Sequence, residues 1–288
     1  MIDPAAILVT GGQGRLGRAL SAEGCRAVSR HDLDITSALS IAAHLSKARP
    51  SLVINAAAYT AVDLAESEPE RAHAINGLGA GLLAEACKAA SIPLIHVSTD
   101  MVFDDGIEGE ALNEEHWAAP MSVYGQSKLE GEHRVKAAGG RAISVRVSWL
   151  FDERADSFIG KILKAAEARD HLKLVNDEFG RPTPVGDLAR TLVQLGDKLV
   201  GGEVLPPVLN LGPPDPVSRL DWAMDIFAAR AEAGIPSPTI EPVTADAFPT
   251  PAKRPRHLVL DVSRAEALLG AMPDWRPASR AAVKALMT

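Results

Sequence analysis

The first half of the sequence alternates short apolar runs with helical segments, and this alternation limits the possible folds more than any other feature. The apolar runs span 6–9, 26–28, 51–54, 93–97 and 142–147, and the helical patterns span 15–23, 37–48, 68–90 and 124–137. Strands that are apolar on both faces belong to parallel sheets with helices packed on each side. The sequence therefore predicts an α/β fold built on a doubly wound parallel sheet.

The pattern changes after about Leu150. Helical segments at 157–169, 185–198 and 219–233 are separated by proline-dense connections, with six prolines between Pro236 and Pro255. Rigid, irregular connections suit a lobe whose loops cover a site. We expect residues 151–288 to form a smaller, mixed α/β substrate-binding lobe, with some of its elements returning to the first domain.

A glycine-rich turn joins the first apolar run to the first helical segment. A phosphate approaches a backbone closely only where side chains are absent, and a helix N-terminus offers unpaired N–H groups to its charge. Because the turn opens the first strand–helix unit, it predicts a Rossmann-type dinucleotide-binding domain over residues 1–150. The expected cofactor ligands in this segment are Gly11, Gln13, Gly14, Arg15, Leu16 and Gly17.

The end of the second predicted strand indicates which dinucleotide is bound. In this fold, the residue after that strand faces the adenosine ribose, where a carboxylate accepts the 2′-hydroxyl of NAD. Here Ser29 and Arg30 follow the strand, and a guanidinium suits the 2′-phosphate of NADP. Asp32 or Asp34 would take the NAD role if the strand ended later. NADP(H) is the favoured cofactor, and NAD(H) stays open.

The third and fourth predicted strands end in residues suited to ligands, which bind at the carboxyl ends of parallel strands. Small side chains that would let the cofactor approach the backbone follow the third strand at Ala56, Ala57 and Ala58. Ser98, Thr99 and Asp100 follow the fourth, where a hydroxyl can hydrogen-bond a substrate carbonyl and a catalytic phenol together. A helix cap or turn uses the same residue types, so both interpretations are open.

Tyr124 and Lys128 lie four residues apart, on one face of the helix before the fifth predicted strand. A phenol with a pKa of about 10 is a poor acid–base catalyst at neutral pH. A neighbouring cation favours the phenolate, so we expect Lys128 to lower the pKa of Tyr124. Downstream of a cofactor turn, this pair indicates hydride transfer to or from a carbonyl or alcohol. A surface Tyr/Lys pair is the alternative.

Motifs along nearly the whole chain match one known family. They lie at 55–63, 65–69, 98–100, 102–104, 124–130, 148–149, 176–177, 180, 182–183, 249–252 and 254–255. These motifs closely resemble those of the dTDP-4-dehydrorhamnose reductase family, within the extended short-chain dehydrogenases/reductases. The resemblance implies NADPH-dependent reduction of the 4-keto group of a dTDP-4-keto-6-deoxy sugar.

The resemblance also implies roles for individual residues. Tyr124 would donate the proton, Lys128 would bind the nicotinamide ribose and tune Tyr124, and Thr99 would contact the reacting oxygen. The residues implied at the substrate are Ser98, Thr99, Asp100 and Trp149. For Trp149, plain core packing is the alternative interpretation.

Departures from the family pattern also carry information. The chain has Met101 where the family usually has tyrosine, Glu178 where it has glutamine, and His257-Leu258 where it has Asn-Ser. A 4,6-dehydratase carries a proton-transferring glutamate after Thr-Asp, and Met101 cannot move a proton, so dehydration is disfavoured. Ala19 stands where some family members have an acidic residue of a metal site, so we expect no metal.

Charge and cysteine content restrict the partners. With 37 acidic and 30 basic side chains, the net charge of −7 does not favour binding to nucleic acid. There is no apolar run of membrane-spanning length, and two distant cysteines without a CxxC motif fit reduced thiols. We expect a cytoplasmic monomer or homodimer that contacts neither nucleic acid nor membrane. The open alternatives are a reductase giving the 6-deoxy-talose epimer and a non-catalytic NADP-binding regulatory subunit.

Overall fold

The computed structural model describes residues 2–287. Its strands are β1 (Ile7–Thr10), β2 (Arg26–Ala27), β3 (Leu52–Asn55), β4 (Leu94–Thr99), β5 (Ala142–Val147), β6 (Leu150–Phe151), β7 (His171–Val175), β8 (Phe179–Gly180), β9 (Thr183–Pro184), β10 (Val208–Asn210), β11 (Val217–Ser218) and β12 (Thr239–Val243). Its α-helices are α1 (Arg15–Ala22), α2 (Ala38–Ala48), α3 (Val62–Ala65), α4 (Pro69–His73), α5 (Ala80–Ala89), α6 (Val123–Ala138), α7 (Phe158–Ala168), α8 (Val185–Val200), α9 (Arg219–Glu232), α10 (Ser263–Leu269) and α11 (Trp275–Met287). A π-helical segment spans Ala74–Gly79, and 3-10 helices span Pro4–Ala6, Asp100–Val102 and Ala245–Ala247. Within 2–287, no helix is long and apolar enough to cross a membrane.

Six strands form one parallel sheet in the order β2-β1-β3-β4-β5-β10. Successive crossovers run in opposite directions from β1, so the strand order reverses between β1 and β3. Ligands bind at such a reversal, beyond the carboxyl ends of the strands. The predicted doubly wound parallel sheet is confirmed.

Alternate residues of the strands pack on opposite faces of this sheet. Ile7 and Val9 belong to a core that includes side chains from α1 and α8, whereas Leu8 belongs to a core with α2 and α5. Burial of both faces explains why these strands are continuously apolar. Two elements from the second half of the sequence, α8 and β10, thus pack in or against the main sheet.

The remaining helices of the second half surround a separate core. Trp222 on α9 lies at its centre, 1% exposed, with ring centroids 4.5 Å from Phe158 and 6.3 Å from Trp275. Strand β7 pairs in parallel with β12 beside these helices, and β8 pairs antiparallel with β11. The result is a smaller mixed α/β lobe that lies next to the main sheet.

The single helix expected over 68–90 is wrong in one respect, because a π-helical segment separates α4 from α5. This segment contains the buried Asn76, whose Nδ2 donates to the Tyr59 carbonyl (3.0 Å) and to Ser127 Oγ (2.9 Å). Its Oδ1 accepts from the Tyr59 backbone N–H (2.8 Å). The π-helical segment therefore directs the Asn76 side-chain amide toward α6, where it contacts Ser127, the residue before Lys128. Such turns frequently accompany functional sites.

Candidate active site

A cavity of about 980 Å³ lies where the carboxyl ends of β1, β3 and β4 face the smaller lobe. The glycine turn lines one part of it, and Tyr124 and Lys128 line another. Trp149, Glu178 and further residues of the second half complete the wall. The fold thus brings together groups that lie more than 100 positions apart in the sequence.

The glycine turn passes so close to the end of β3 that a side chain has no space there. Gly11 adopts φ +72°, and a Cβ added to it would lie 2.7 Å from the Ala56 carbonyl oxygen and from the Ala57 backbone nitrogen. Gly14 caps α1 without a side-chain hydrogen bond. The turn and the first N–H groups of α1 therefore present bare backbone to the cavity, which fits a dinucleotide pyrophosphate.

Most of the predicted cofactor ligands line this cavity. Those that do so at the turn and at the end of β3 are Gly11, Gly14, Arg15, Leu16, Ala56, Ala57 and Ala58. Gln13 and Gly17 are not part of the lining. A Cβ on Gly17 would collide with the Gly11 carbonyl, so this glycine lets α1 pack against the turn. The assignment of Gln13 and Gly17 as cofactor ligands stays a prediction.

Arg30 and Asp34, which follow β2 in the sequence, line one end of the cavity. The Arg30 side chain is 62% exposed, and its Nη2 lies 3.7 Å from Asp34 Oδ2. Asp34 accepts hydrogen bonds from the backbone N–H (2.9 Å) and hydroxyl (2.7 Å) of Thr36, which lower its pKa. Ser29 is outside the lining, and its hydroxyl donates to Asp32 (2.6 Å) in the turn after β2. A guanidinium and a carboxylate therefore both border this end of the cavity, and the guanidinium is the more exposed of the two.

Tyr124 lies in the first turn of α6, which Ser122 caps by accepting a hydrogen bond from Gly125 N (3.2 Å). The pKa of Tyr124 is raised to about 12, mainly by burial and also by the Asp100 charge, while a hydrogen bond with Thr99 opposes the rise. The expectation that Lys128 lowers this pKa is wrong for the protein without ligands. A phenol with a raised pKa stays protonated at neutral pH, which suits a proton donor.

The Lys128 ammonium points at the backbone of β4. It is 2% exposed, and its Nζ donates to the Val97 carbonyl oxygen at 2.6 Å. Burial lowers the pKa of Lys128 to about 8, and the Glu132 charge opposes this fall. Two of the three ammonium N–H groups remain for other acceptors at the cavity.

Thr99 and Asp100 face the phenol from the end of β4. The Thr99 hydroxyl donates to Asp100 Oδ1 (2.9 Å) and accepts from the Met101 backbone N–H (3.2 Å). Thr99 is therefore the cap of the 3-10 helix that follows, and its contact with a substrate carbonyl stays a prediction. Burial raises the pKa of Asp100 to about 6, although the Thr99 hydrogen bond and the Arg219 charge lower it.

Trp149 forms a wall of the cavity together with residues that sequence reasoning missed. Its backbone has φ +46°, and the Arg219 guanidinium carbon lies 3.5 Å from its ring centroid. Arg219 Nε lies 3.4 Å from Glu178 Oε2. Trp149 also stacks on Trp222 at 5.9 Å, so it contributes to the core of the smaller lobe as well.

Arg254 connects the second half of the chain to the main sheet domain. Its guanidinium makes a bidentate pair with Asp63 on α3, at 2.8 and 2.9 Å, and it lines the cavity. Nothing in the local sequence indicated Arg219, although Arg254 lies in one of the motifs that carry the family resemblance. Arg219 and Arg254 are two of the five arginines in the cavity lining, and each of them also pairs with a carboxylate.

Comparison with known proteins decides the family. The family model described as the RmlD substrate binding domain matches residues 5–288. The chain is also 36% identical, over 95% of its length and 97% of the relative, to the dTDP-4-dehydrorhamnose reductase of Aggregatibacter actinomycetemcomitans. The chain belongs to the dTDP-4-dehydrorhamnose reductase family. The family resemblance inferred from the sequence motifs is thereby confirmed.

Solved structures of this family have the same architecture. The crystal structure of a dTDP-4-dehydrorhamnose reductase from Clostridium acetobutylicum superposes with a TM-score of 0.89 at 31% identity, over 98% of this chain and 99% of that one. The enzyme from Bacillus anthracis, solved in complex with NADP, gives 0.86 at 29% identity, over 96% and 97%. The similarity to this reductase family therefore extends over both the main sheet and the smaller lobe.

Proposed function

We propose that this protein reduces the 4-keto group of dTDP-4-dehydro-L-rhamnose with NADPH, giving dTDP-L-rhamnose. The observation that carries the proposal is the single cavity that joins a bare glycine turn to the Thr99–Tyr124 pair. Relatives that match almost the whole chain are named for this reaction, and one of them is solved with NADP. The partner expected on the substrate side is accordingly a dTDP-4-keto-6-deoxy sugar.

The chain's own residues supply the proton and the orientation. When bound, a reduced nicotinamide supplies the hydride. Tyr124 donates its phenolic proton to the carbonyl oxygen as negative charge develops there. The Thr99 hydroxyl, which otherwise donates to Asp100, can turn to donate to the same oxygen. Lys128 is held against β4 by Val97, which leaves ammonium protons for the hydroxyls of the nicotinamide ribose.

Binding divides between the two halves of the chain. Residues 1–150 hold the dinucleotide, with Arg30 at the 2′-phosphate, on a sheet that α8 and β10 complete. The smaller lobe within 151–288 provides the sugar-nucleotide side through Glu178, Arg219 and Arg254, opposite Trp149 and Asp100 of the first half. Ser98 lines the cavity, but its hydroxyl donates to Glu132 Oε1 (2.6 Å), so its part in substrate binding is through the shape of the β4 end.

Replacing Arg30 should change the coenzyme preference. In Arg30→Ala we expect the preference for NADPH over NADH to fall about tenfold, since an exposed charge-assisted contact contributes about 1–2 kcal/mol. Arg26→Ala is the matched control, because its exposed guanidinium donates to the Ala48 carbonyl (3.1 Å) and lies outside the lining. The measurement is Kd for each coenzyme by titration. An unchanged ratio in Arg30→Ala would mean that this arginine does not contact the cofactor.

Activity should depend on pH through Lys128. Its pKa is lowered to about 8 by burial, so the ammonium is present below that pH and is lost above it. We expect kcat/KM for NADPH to decline as the pH rises through about 8, with no such decline in Lys128→Met, which lacks the titrating group and is slow throughout. A profile that stays flat to high pH in the wild-type protein would contradict the role given to this ammonium.

The function is tested by supplying dTDP-4-dehydro-L-rhamnose with each coenzyme and identifying the product by NMR. We expect consumption of NADPH and formation of dTDP-L-rhamnose. Formation of the 6-deoxy-talose epimer would place the protein among reductases of the opposite stereochemistry. Binding of NADPH without turnover would make it a regulatory subunit.

A further inference from the structure

Behind the active site lies a buried cluster that the proposed mechanism does not use. Glu132 on α6 and Arg146 on β5 are each 4% exposed. The Arg146 guanidinium donates to both carboxylate oxygens of Glu132, with the shortest contact at 2.7 Å. The Ser98 hydroxyl donates to Glu132 Oε1 at 2.6 Å. Three elements, α6, β4 and β5, therefore meet at one carboxylate.

This carboxylate is placed to act on the catalytic end of β4. Glu132 follows Lys128 by four residues, hence one turn further along the same face of α6. Ser98 and Arg146 are register partners on neighbouring strands. Ser98 also lies between Val97, whose carbonyl accepts from Lys128, and Thr99, which faces Tyr124. A shift of Glu132 would thus displace both Val97, which holds Lys128, and Thr99, which faces Tyr124.

We propose that Glu132 is a positioning residue: its charged carboxylate clamps the end of β4 to α6 and keeps the buried Lys128 side chain an ammonium directed at Val97. The inference rests on the function proposed above, because it assigns Lys128 to the cofactor ribose. A neutral side chain of the same shape would keep the packing and would lose the charge.

The electrostatics agree with this geometry. Lys128 interacts with Glu132 on its own helix and with His96 on β4. Tyr124 and Asp100 line the same cavity as Lys128, and Arg146 on β5 pairs with Glu132. Burial lowers the pKa of Lys128, and the charge of Glu132 raises it. His96 is buried and its pKa is held well below 6.5, so it stays neutral and gives Lys128 no opposing charge at neutral pH. Glu132 is thus the group that favours the charged form of Lys128.

The test is the pH dependence of NADPH binding, which needs no sugar substrate. In the wild-type protein we expect Kd to rise as Lys128 deprotonates. In Glu132→Gln we expect the midpoint of that rise to move down by about one pH unit. Glu130→Gln is the matched control, because it removes a carboxylate of the same helix that pairs on the surface with Arg134 (2.7 Å) and His73 (2.5 Å). Its midpoint should not move.

Glu132→Gln leaves the Arg146 charge buried and unpaired, which can prevent folding. A second variant is therefore needed to keep the test decisive. The double variant Glu132→Gln/Arg146→Met removes both charges, and its midpoint should also move down, by less than in Glu132→Gln because the positive charge of Arg146 is removed as well. If either folded variant, judged by circular dichroism, keeps the wild-type midpoint, Glu132 is only a structural residue and the proposal is overturned. Failure of the proposed function would look different: NADPH would bind normally and the keto sugar would not be reduced.

Discussion

Replacing Tyr124 by phenylalanine should lower kcat by about 10²–10⁴-fold, the usual contribution of a general acid. The variant loses the hydroxyl beside Thr99 and keeps the ring that lines the cavity. Because the lost proton is transferred only in the transition state, Kd for NADPH should change little. The measurement is the rate of NADPH oxidation at saturating keto sugar, together with a coenzyme titration.

The other tyrosine of the chain provides the control. Tyr59 also borders the cavity, but its hydroxyl donates to Glu68 Oε2 (2.9 Å). Tyr59→Phe should therefore leave kcat within about threefold of wild type, with a stability loss of about 1 kcal/mol for the missing hydrogen bond. If Tyr124→Phe retained full activity, or if both variants lost activity alike, Tyr124 would not be the proton donor.

Replacing Gly11 by alanine should nearly abolish cofactor binding. The new Cβ would lie 2.7 Å from backbone atoms of Ala56 and Ala57, at a residue with φ +72°. The left-handed backbone and the overpacking together should cost about 2–5 kcal/mol of folding stability. Because the turn must move away from β3, we expect Kd for NADPH to rise about 100-fold or more, equivalent to about 3 kcal/mol.

A glycine with the same backbone and open surroundings separates these two effects. Gly202 has φ +86° and nothing within 4 Å of an added Cβ. Gly202→Ala should lose only about 1–2 kcal/mol of stability, from the backbone alone, and should bind NADPH normally. Thermal unfolding and coenzyme titration of both variants test this. Normal NADPH affinity in Gly11→Ala would show that the turn does not hold the pyrophosphate.

The main sheet could be predicted from the sequence because its strands are buried on both faces. The runs that became β1, β3, β4 and β5 are mostly apolar and almost entirely buried, and the apolar pattern is local. Strand β10 was not predicted, since its three residues follow two prolines and carry no such run. The π-helical segment could not be predicted either, because it depends on Asn76 meeting Ser127, 51 positions away.

The candidate site also combines residues that the sequence could predict with residues that it could not. The glycine turn and the Tyr124–Lys128 spacing are short-range patterns, and the structure places both at one cavity. Arg219 could not be predicted, because its position depends on Trp149 and Glu178, which it meets only after folding. The direction of the pKa shift of Tyr124 was also missed, since spacing alone does not reveal burial or the neighbouring Asp100.

Transfer of an isotope label tests most directly whether this cavity carries out ketone reduction. The protein is given NADPH that carries deuterium at both C4 positions of the nicotinamide ring, together with dTDP-4-dehydro-L-rhamnose, and the sugar is examined by NMR. We expect deuterium at C4 of the product sugar, and none when Tyr124→Phe is incubated for the same short time. Tight binding of the labelled coenzyme with all deuterium still on its ring would contradict the account.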